Sequence, residues 1–271
     1  MRCGVCFRHC DLKEGELGDC LARKNVSGSI VSDNYGLVSS IALDPIEKKP
    51  LAEFHPGSLI LSVGSYGCNL HCPFCQNAGI SQENLKKECR HYTVDELIDL
   101  AEGLKPRGNI GIAFTYNEPM VSYEFVRDAA REAKRRGLLT VLVTNGEFPV
   151  PTLNEVLPYI DAMNIDLKGF SDAFYSWVGG SLKTVKEFIS LAAEHSHVEL
   201  TTLVIPGKND SPEMMDEEAR WIASLDPEIP LHITRYFPAY RCEIGMTPVA
   251  TLKTLRDVAK RHLSKVYLGN V

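Results

Sequence analysis

From residue 58 onward, short apolar runs alternate with longer amphipathic stretches, and this alternation restricts the fold more than any other feature of the sequence. Strand candidates fall at residues 59–63, 110–114, 139–143, 162–165, 198–205, 231–233 and 266–268. Helical periodicity occupies 94–104, 121–136, 182–194, 214–225 and 248–263 between them. Strands of this length separated by helices build βαβ units and a parallel sheet. Because such crossovers are right-handed, the sheet either winds in both directions or curls toward a barrel.

Polar residues at the strand ends separate these outcomes. The first six candidates are followed in turn by a cysteine-bearing loop, Thr115-Tyr116-Asn117-Glu118-Pro119, Thr144-Asn145-Gly146, Asp166-Leu167-Lys168, Pro206-Gly207 and Arg235-Tyr236-Phe237. A doubly wound sheet gathers its ligand at one switch point, whereas a barrel collects residues from many strand ends. Chemistry at six successive ends therefore predicts an α/β fold with a partial, TIM-like (β/α)6 barrel over residues 58–271. Residues 1–57 read as a separate unit, a small cysteine-rich metal-binding extension. Within it, 26–32 and 37–43 suggest a strand pair around the turn Asp33-Asn34-Tyr35-Gly36.

Composition narrows the class. The 271 residues, 44% hydrophobic, suffice for one sizeable core. A net charge of −6 argues against a nucleic-acid or polybasic membrane surface, and no apolar run is long enough to span a bilayer. The opening Met1-Arg2-Cys3-Gly4 lacks the apolar run of a secretory signal, so a cytoplasmic protein is expected. In that setting nine cysteines call for an explanation other than disulfides. Seven fall in two groups, Cys3/Cys6/Cys10/Cys20 and Cys68/Cys72/Cys75, and such clustering favours metal. Cys89 and Cys242 stand alone, as small buried hydrophobes often do.

The segment Gly67-Cys68-Asn69-Leu70-His71-Cys72-Pro73-Phe74-Cys75 follows directly on the first barrel strand. Cubane iron–sulfur clusters ordinarily take four thiolates. Three closely spaced cysteines supply three, which leaves one iron open to a non-protein ligand. The amino nitrogen and carboxylate of S-adenosylmethionine (SAM) suit that position. The competing reading is a structural zinc loop completed by His71 or a distant residue. Zinc loops, however, usually pair C-x2-C knuckles, and here the order is C-x3-C-x2-C. At the N-terminus, Cys3-x2-Cys6-x3-Cys10-x9-Cys20 offers four thiolates, enough to close a site, with His9 able to replace one. Tetrahedral zinc is the first candidate there and an auxiliary iron–sulfur cluster the second. Either would add folding energy to a unit with little core.

With Phe74 before the last cysteine, the order C-x3-C-x-aromatic-C resembles the signature of the radical SAM superfamily. The continuation Cys75-Gln76-Asn77 is similar to the branch that contains pyruvate formate-lyase activating enzyme. A closer resemblance is to the radical SAM member of the AmmeMemoRadiSam system. It is carried by Asp44-Pro45-Ile46-Glu47-Lys48-Lys49-Pro50-Leu51, Ile80-Ser81-Gln82, Thr115-Tyr116-Asn117-Glu118-Pro119 and Asp166-Leu167-Lys168. Pro206-Gly207-Lys208-Asn209-Asp210 and the closing Tyr267-Leu268-Gly269-Asn270-Val271 extend it over essentially the whole chain. Longer members continue past this Gly-Asn-Val segment into a tail with further cysteines, and this sequence ends there.

The resemblance implies a partial barrel of the radical SAM type and a 4Fe–4S cluster on Cys68, Cys72 and Cys75. It also implies reductive cleavage of SAM to a 5′-deoxyadenosyl radical. It places Tyr116-Asn117-Glu118-Pro119 where the superfamily has a Gly-Gly-Glu-like segment that holds the methionine ammonium. Lys168 would lie near the SAM carboxylate, and Phe74, Gln76 and Asn77 beside the adenine.

Read as residues, these positions keep second meanings. Glu118, before a helix-starting Pro119, suits either a cation or a helix first turn. Thr144 and Asn145 suit SAM's ribose or carboxylate, or else a cap or turn. Asp166 and Lys168, two apart on a strand, share a face as SAM contacts or as a structural ion pair. His232 joins the cofactor-side candidates because the sixth strand should lead to the mouth. Tyr236, Arg235 and Cys242, with Arg241 nearby, are the substrate-side candidates. Cys242 would be a thiol able to donate a hydrogen atom, or an inert buried cysteine.

Two enzyme functions follow. One is action on an unidentified substrate alongside Memo-like and AMMECR-type proteins, favoured by the segment from Asp44 to Pro50. The other is activation of a partner by installing a glycyl radical. Both need an electron donor such as flavodoxin or ferredoxin. A non-catalytic iron–sulfur electron carrier is the reading of another class; it explains the cysteines but not the polar strand ends.

Overall fold

The computed structural model describes residues 1–271. The first part of the chain comprises β1 (Arg23–Val26), β2 (Ser29–Ser32), β3 (Leu37–Val38), β4 (Ser40–Pro45), β5 (Leu59–Gly64), α1 (Ala78–Ser81), β6 (Arg90–His91) and α2 (Val94–Gly103). Then follow β7 (Asn109–Phe114), α3 (Tyr123–Arg135), β8 (Leu139–Thr144), α4 (Val150–Val156), β9 (Ala162–Asp166) and α5 (Asp172–Val178). The last elements are α6 (Leu182–Ala193), β10 (His197–Val204), α7 (Pro212–Leu225), β11 (Leu231–Arg235), α8 (Val249–Ala259) and β12 (Val266–Gly269).

One sheet runs in the order β12-β11-β10-β9-β8-β7-β5-β4. Its strands are parallel from β5 to β12, and only β4 is antiparallel to its neighbour. The parallel strands lie side by side in chain order without a reversal, so there is no switch point of the doubly wound kind. The two edge strands, β4 and β12, do not pair with each other, and the barrel is open. All seven expected strands are present. The helices α4 and α5 were not expected, because seven residues each are too few to show a helical period. No helix is long and apolar enough to cross a membrane.

The expected pairing of 26–32 with 37–43 does not form. The hairpin lies earlier, β1 against β2, turned by Ser27 and Gly28 with φ of 51° and 75°, the left-handed pair that a two-residue connection requires. β3 pairs with β6 instead. Gly36 permits this: a Cβ there would lie 2.6 Å from the Tyr92 carbonyl oxygen, and the Gly36 carbonyl accepts from the Tyr92 N–H at 2.8 Å. β4 then adds to the edge of β5, so the main sheet reaches back across the expected boundary at 57/58.

Near the N-terminal ends of the strands, the lumen is closed by the segment after Pro50. The buried Glu199 carboxylate on β10 accepts from the N–H groups of Ala52 (2.9 Å) and Glu53 (2.8 Å). It also meets Nε2 of His197 (2.9 Å) and of His232 (2.6 Å). Asn164 donates to the Pro50 carbonyl at 2.9 Å, and Tyr267 stacks on His232 with ring centres 5.3 Å apart. His232, expected among the cofactor contacts at the mouth, belongs to this floor. It is the second residue of β11, paired in register with Thr201, too early in the strand to reach the rim.

Burial alone would raise the Glu199 pKa, but the two histidines and two N–H donors outweigh it and hold the value at about 2. A depressed carboxylate contributes stability that is present above its unfolded pKa and is lost as pH falls through the folded one. Thermal melts between pH 5 and pH 2 should therefore show a steeper acid loss for the wild type than for Glu199→Gln. Glu199→Ala, which strands all four partners, should cost roughly 3 kcal/mol or more at neutral pH. Equal acid slopes in wild type and Glu199→Gln would remove Glu199 from this role.

Candidate active site

The C-terminal strand ends open on one cleft of about 340 Å³, a size typical of small-molecule sites. Cys68, Cys72, Phe74, Cys75, Gln76 and Asn77 line it from the loop after β5. Tyr116, Asn117 and Glu118 enter after β7, Thr144 and Asn145 at the end of β8, and Asp166 and Lys168 at the end of β9. Of the expected cofactor contacts, all but His232 share this space.

The cysteine loop is tied on every side. The Gly67 N–H donates to the Ile80 carbonyl (2.8 Å), His71 N–H to Val178 (3.0 Å), and Arg241 N–H to Pro73 (2.9 Å). Gln82 donates to the Leu70 carbonyl (2.9 Å), and its amide oxygen meets His71 Nδ1 at 3.0 Å. His71 is therefore held through Nδ1 by Gln82. Asn145 Nδ2 bonds the Asn69 side chain (2.8 Å) and reaches Cys68 Sγ at 3.6 Å. Phe74 packs under the loop against Trp177 and Phe174 of α5. Burial pushes the Cys72 thiol up to about 11 and Cys68 well above the ordinary value. Such thiols deprotonate when a bound cation supplies the compensating charge.

Glu118 is buried, and its carboxylate braces two strand ends. One oxygen accepts from Met120 N–H (3.0 Å) and Thr144 Oγ1 (2.7 Å), the other from Asn145 N–H (2.8 Å). Burial lifts its pKa to about 7 against these three bonds. A carboxylate has about four acceptor positions, so little capacity is left toward the cleft. Lys168 pairs with Asp166 at 2.9 Å. Burial opposes its charge, but Asp166, joined by the Cys72 and Cys68 sulfurs when these are thiolates, outweighs that and holds its pKa above the usual lysine range.

The substrate-side candidates are elsewhere. Tyr236 is fully buried and donates to the Cys242 carbonyl at 2.9 Å; Cys242 is buried beside it. Arg235 donates to the Thr247 carbonyl at 2.8 Å and lies over Phe237. These contacts fold the segment after β11 back on itself, and none of the three side chains lines the cleft. Lys48, Lys49, Thr201, Leu203, Thr234 and Asn270 do line it. Lys48, Lys49 and Asn270 stand in segments that carry the family resemblance, which gives them no site role, and no motif marks Thr201, Leu203 or Thr234.

The N-terminal cysteines pack directly behind the loop. Cys3, Cys6 and Cys20 are buried and Cys10 is half-buried. Cys6 lies near enough to the other three to feel their charge, and burial pushes it up to about 12. No three His, Cys, Asp or Glu side chains converge on a preformed single-ion site. His9 is exposed with φ 48°. Gly67, with φ 88°, has no room for a side chain: a Cβ would sit 2.3 Å from the Cys20 carbonyl oxygen. Arg8 donates from Nε to the Asn69 carbonyl and from Nη2 to the Gly179 carbonyl (2.9 Å), and Nη1 meets Asp19 at 3.2 Å.

The chain belongs to the radical SAM superfamily, whose family profile matches residues 62–219. It is 39% identical to an uncharacterized protein of Methanocaldococcus jannaschii, over 100% of this chain and 81% of that protein. It is related to the pyruvate formate-lyase 1-activating enzyme of Escherichia coli, 30% identical over 53% of this chain and 60% of that enzyme. Among solved structures, a radical SAM methyltransferase from Sphaerobacter thermophilus shares the fold, with a TM-score of 0.61 and 18% identity over 79% of this chain and 67% of that one.

Arg8 emerges as a brace between the extension and the cysteine loop. Arg8→Ala leaves the Asn69 and Gly179 carbonyls without this donor and should lower the unfolding free energy by about 2 kcal/mol in denaturant titration. Arg8→Lys should recover less than half, because an ammonium cannot span both carbonyls as the guanidinium does. A change below about 0.5 kcal/mol for Arg8→Ala would show that the loop holds without it.

Proposed function

We propose that this chain is a SAM-cleaving enzyme of the AmmeMemoRadiSam type, acting on a substrate still to be identified. Cys68, Cys72 and Cys75 would hold a 4Fe–4S cluster with one iron left for SAM. When bound, that cluster supplies the electron that splits SAM to methionine and a 5′-deoxyadenosyl radical able to take hydrogen from a substrate. Lys168 would meet the SAM carboxylate, the Asn117–Glu118 strand end its ammonium, Thr144 and Asn145 its ribose or carboxylate. Phe74, Gln76 and Asn77 would border the adenine. One observation carries this reading: three thiols of one loop share a single cleft with polar groups from the ends of β7, β8 and β9. An electron carrier would need the thiols but not these groups.

For the finer assignment, the segment from Asp44 to Pro50 supports the AmmeMemoRadiSam reading, while likeness to activating enzymes of glycyl-radical enzymes over 76% and 53% of this chain supports glycyl-radical activation as the alternative. Memo-like and AMMECR-type proteins are then the partners to test, with flavodoxin or ferredoxin as electron donor. Residues 1–57 would carry zinc or an auxiliary iron–sulfur cluster on Cys3, Cys6, Cys10 and Cys20.

Anaerobic reconstitution with iron and sulfide, followed by dithionite and SAM, should yield 5′-deoxyadenosine. Alanine at Cys68, Cys72 or Cys75 should lower that yield by about 100-fold or more. An intact cluster that forms no 5′-deoxyadenosine in the wild type would sink the proposal. A glycyl radical signal on a co-incubated glycyl radical enzyme would move the assignment to the activating branch. Metal analysis separates the N-terminal options: about four irons and one zinc per chain for a zinc site, about eight irons for a second cubane.

A further inference from the structure

We propose that the β4 side of the cleft is an anion subsite, where Lys49, with Lys48 beside it, receives a carboxylate or phosphate group of the substrate. This rests on the reading of the cleft as the place where SAM and substrate meet. Both lysines follow β4 and line the same cleft as the cysteine loop. The Lys49 side chain is only 3% exposed, yet its ammonium makes a single hydrogen bond, to Asp44 Oδ2 at 3.0 Å. The Tyr116 ring covers another side at 4.7 Å. An ammonium carries three donors, and buried donors without acceptors are unfavourable. Lys49 lines the cleft with donor positions unfilled, and an anionic ligand there would fill them.

The charge balance points the same way. Asp44 already serves Lys49, Lys48 (3.3 Å) and the Tyr116 hydroxyl (2.7 Å). Two cations share one carboxylate, which leaves an excess of positive charge here. The cleft's other acids are engaged, Asp166 by Lys168 and Glu118 by its three donors. Thr234 and Asn270 add neutral hydrogen-bonding groups from β11 and the end of β12.

The fold also accepts strain to seat this group. Tyr116 has φ 73°, unusual for a tyrosine, and its ring lies where a Cβ on Gly64 would come within 2.9 Å. Such strain persists only where the surroundings over-determine it and concentrates at ligand sites. A purely structural ion pair would require neither the second lysine nor the opening onto the cleft.

The test is calorimetric titration of the reconstituted, SAM-loaded protein at low ionic strength with inorganic phosphate and, separately, with glutarate. Prior loading with SAM keeps Lys168 and the SAM positions from contributing. Saturable one-site binding of either anion is expected, and the tighter of the two names the substrate's acidic group. Lys49→Gln should weaken it about tenfold, and Lys48→Gln, on a side chain 66% exposed, about threefold. If Lys49→Gln does not fold, Lys48→Gln decides the matter. No saturable binding by the wild type, or binding unchanged in the folded variants, would overturn the proposal. 5′-Deoxyadenosine is measured on the same samples. Its absence beside intact anion binding would strike the SAM-cleavage reading alone, and the reverse result would strike the subsite alone.

Discussion

The buried carboxylate of Glu118 holds the mouth of the barrel together. By accepting from Met120, Thr144 and Asn145 it locks the end of β7 to the end of β8. Asn145, fixed in this way, extends its amide to Asn69 and Cys68 and so passes the constraint to the cysteine loop after β5. Asn69 continues the chain by donating to the Glu147 carbonyl at 3.1 Å. Each buried donor left unmet would cost about 1–3 kcal/mol, so the three strand ends keep one relative arrangement. Reactive groups held on rigid, fully bonded supports are the condition for a preorganised site.

The supports on the other sides follow a similar logic. Glu199 closes the lumen with two backbone donors and two histidines, which separates the cleft from the N-terminal end of the barrel. Behind the cysteine loop, Arg8 and the Cys20 carbonyl bear directly on Asn69 and Gly67. The N-terminal extension is thus a wall of the site as well as a group of thiols. Any metal that orders residues 3–20 would also stiffen the loop that carries Cys68, Cys72 and Cys75.

Much of the architecture was legible because it is encoded locally. Strand and helix periods predicted the seven barrel strands and the long helices, and polar residues at successive strand ends separated an open barrel from a doubly wound sheet. The N-terminal pairing was not legible, since β3 and β6 meet across more than fifty residues through the space left by Gly36. In the site, the cysteine loop and the residues after β7, β8 and β9 could be named from their places in the pattern. The roles of Arg8 and Asn69 could not, because their partners lie far along the chain, and for Lys49 neither its burial nor its place in the cleft shows in the local segment. Arg235, Tyr236 and Cys242 looked equally suited to the mouth, yet their bonds turn inward to their own loop.

The sequence by itself determined the order of strands and helices and the presence of three thiols on one strand-end loop. Those features depend on spacing along the chain, and spacing is a local property. Only the tertiary structure decided how deep each strand residue sits and which side chains meet. A period of two tells which face a residue takes but not its height in the barrel. His232 and Thr234 share the lumen face of β11, and the register against β10 sets one in the floor and the other in the cleft. The same nonlocal geometry brings Lys49 from the β4 edge beneath Tyr116. The thiol spacing therefore points to the chemistry, and the folded barrel supplies the surface that a substrate would meet.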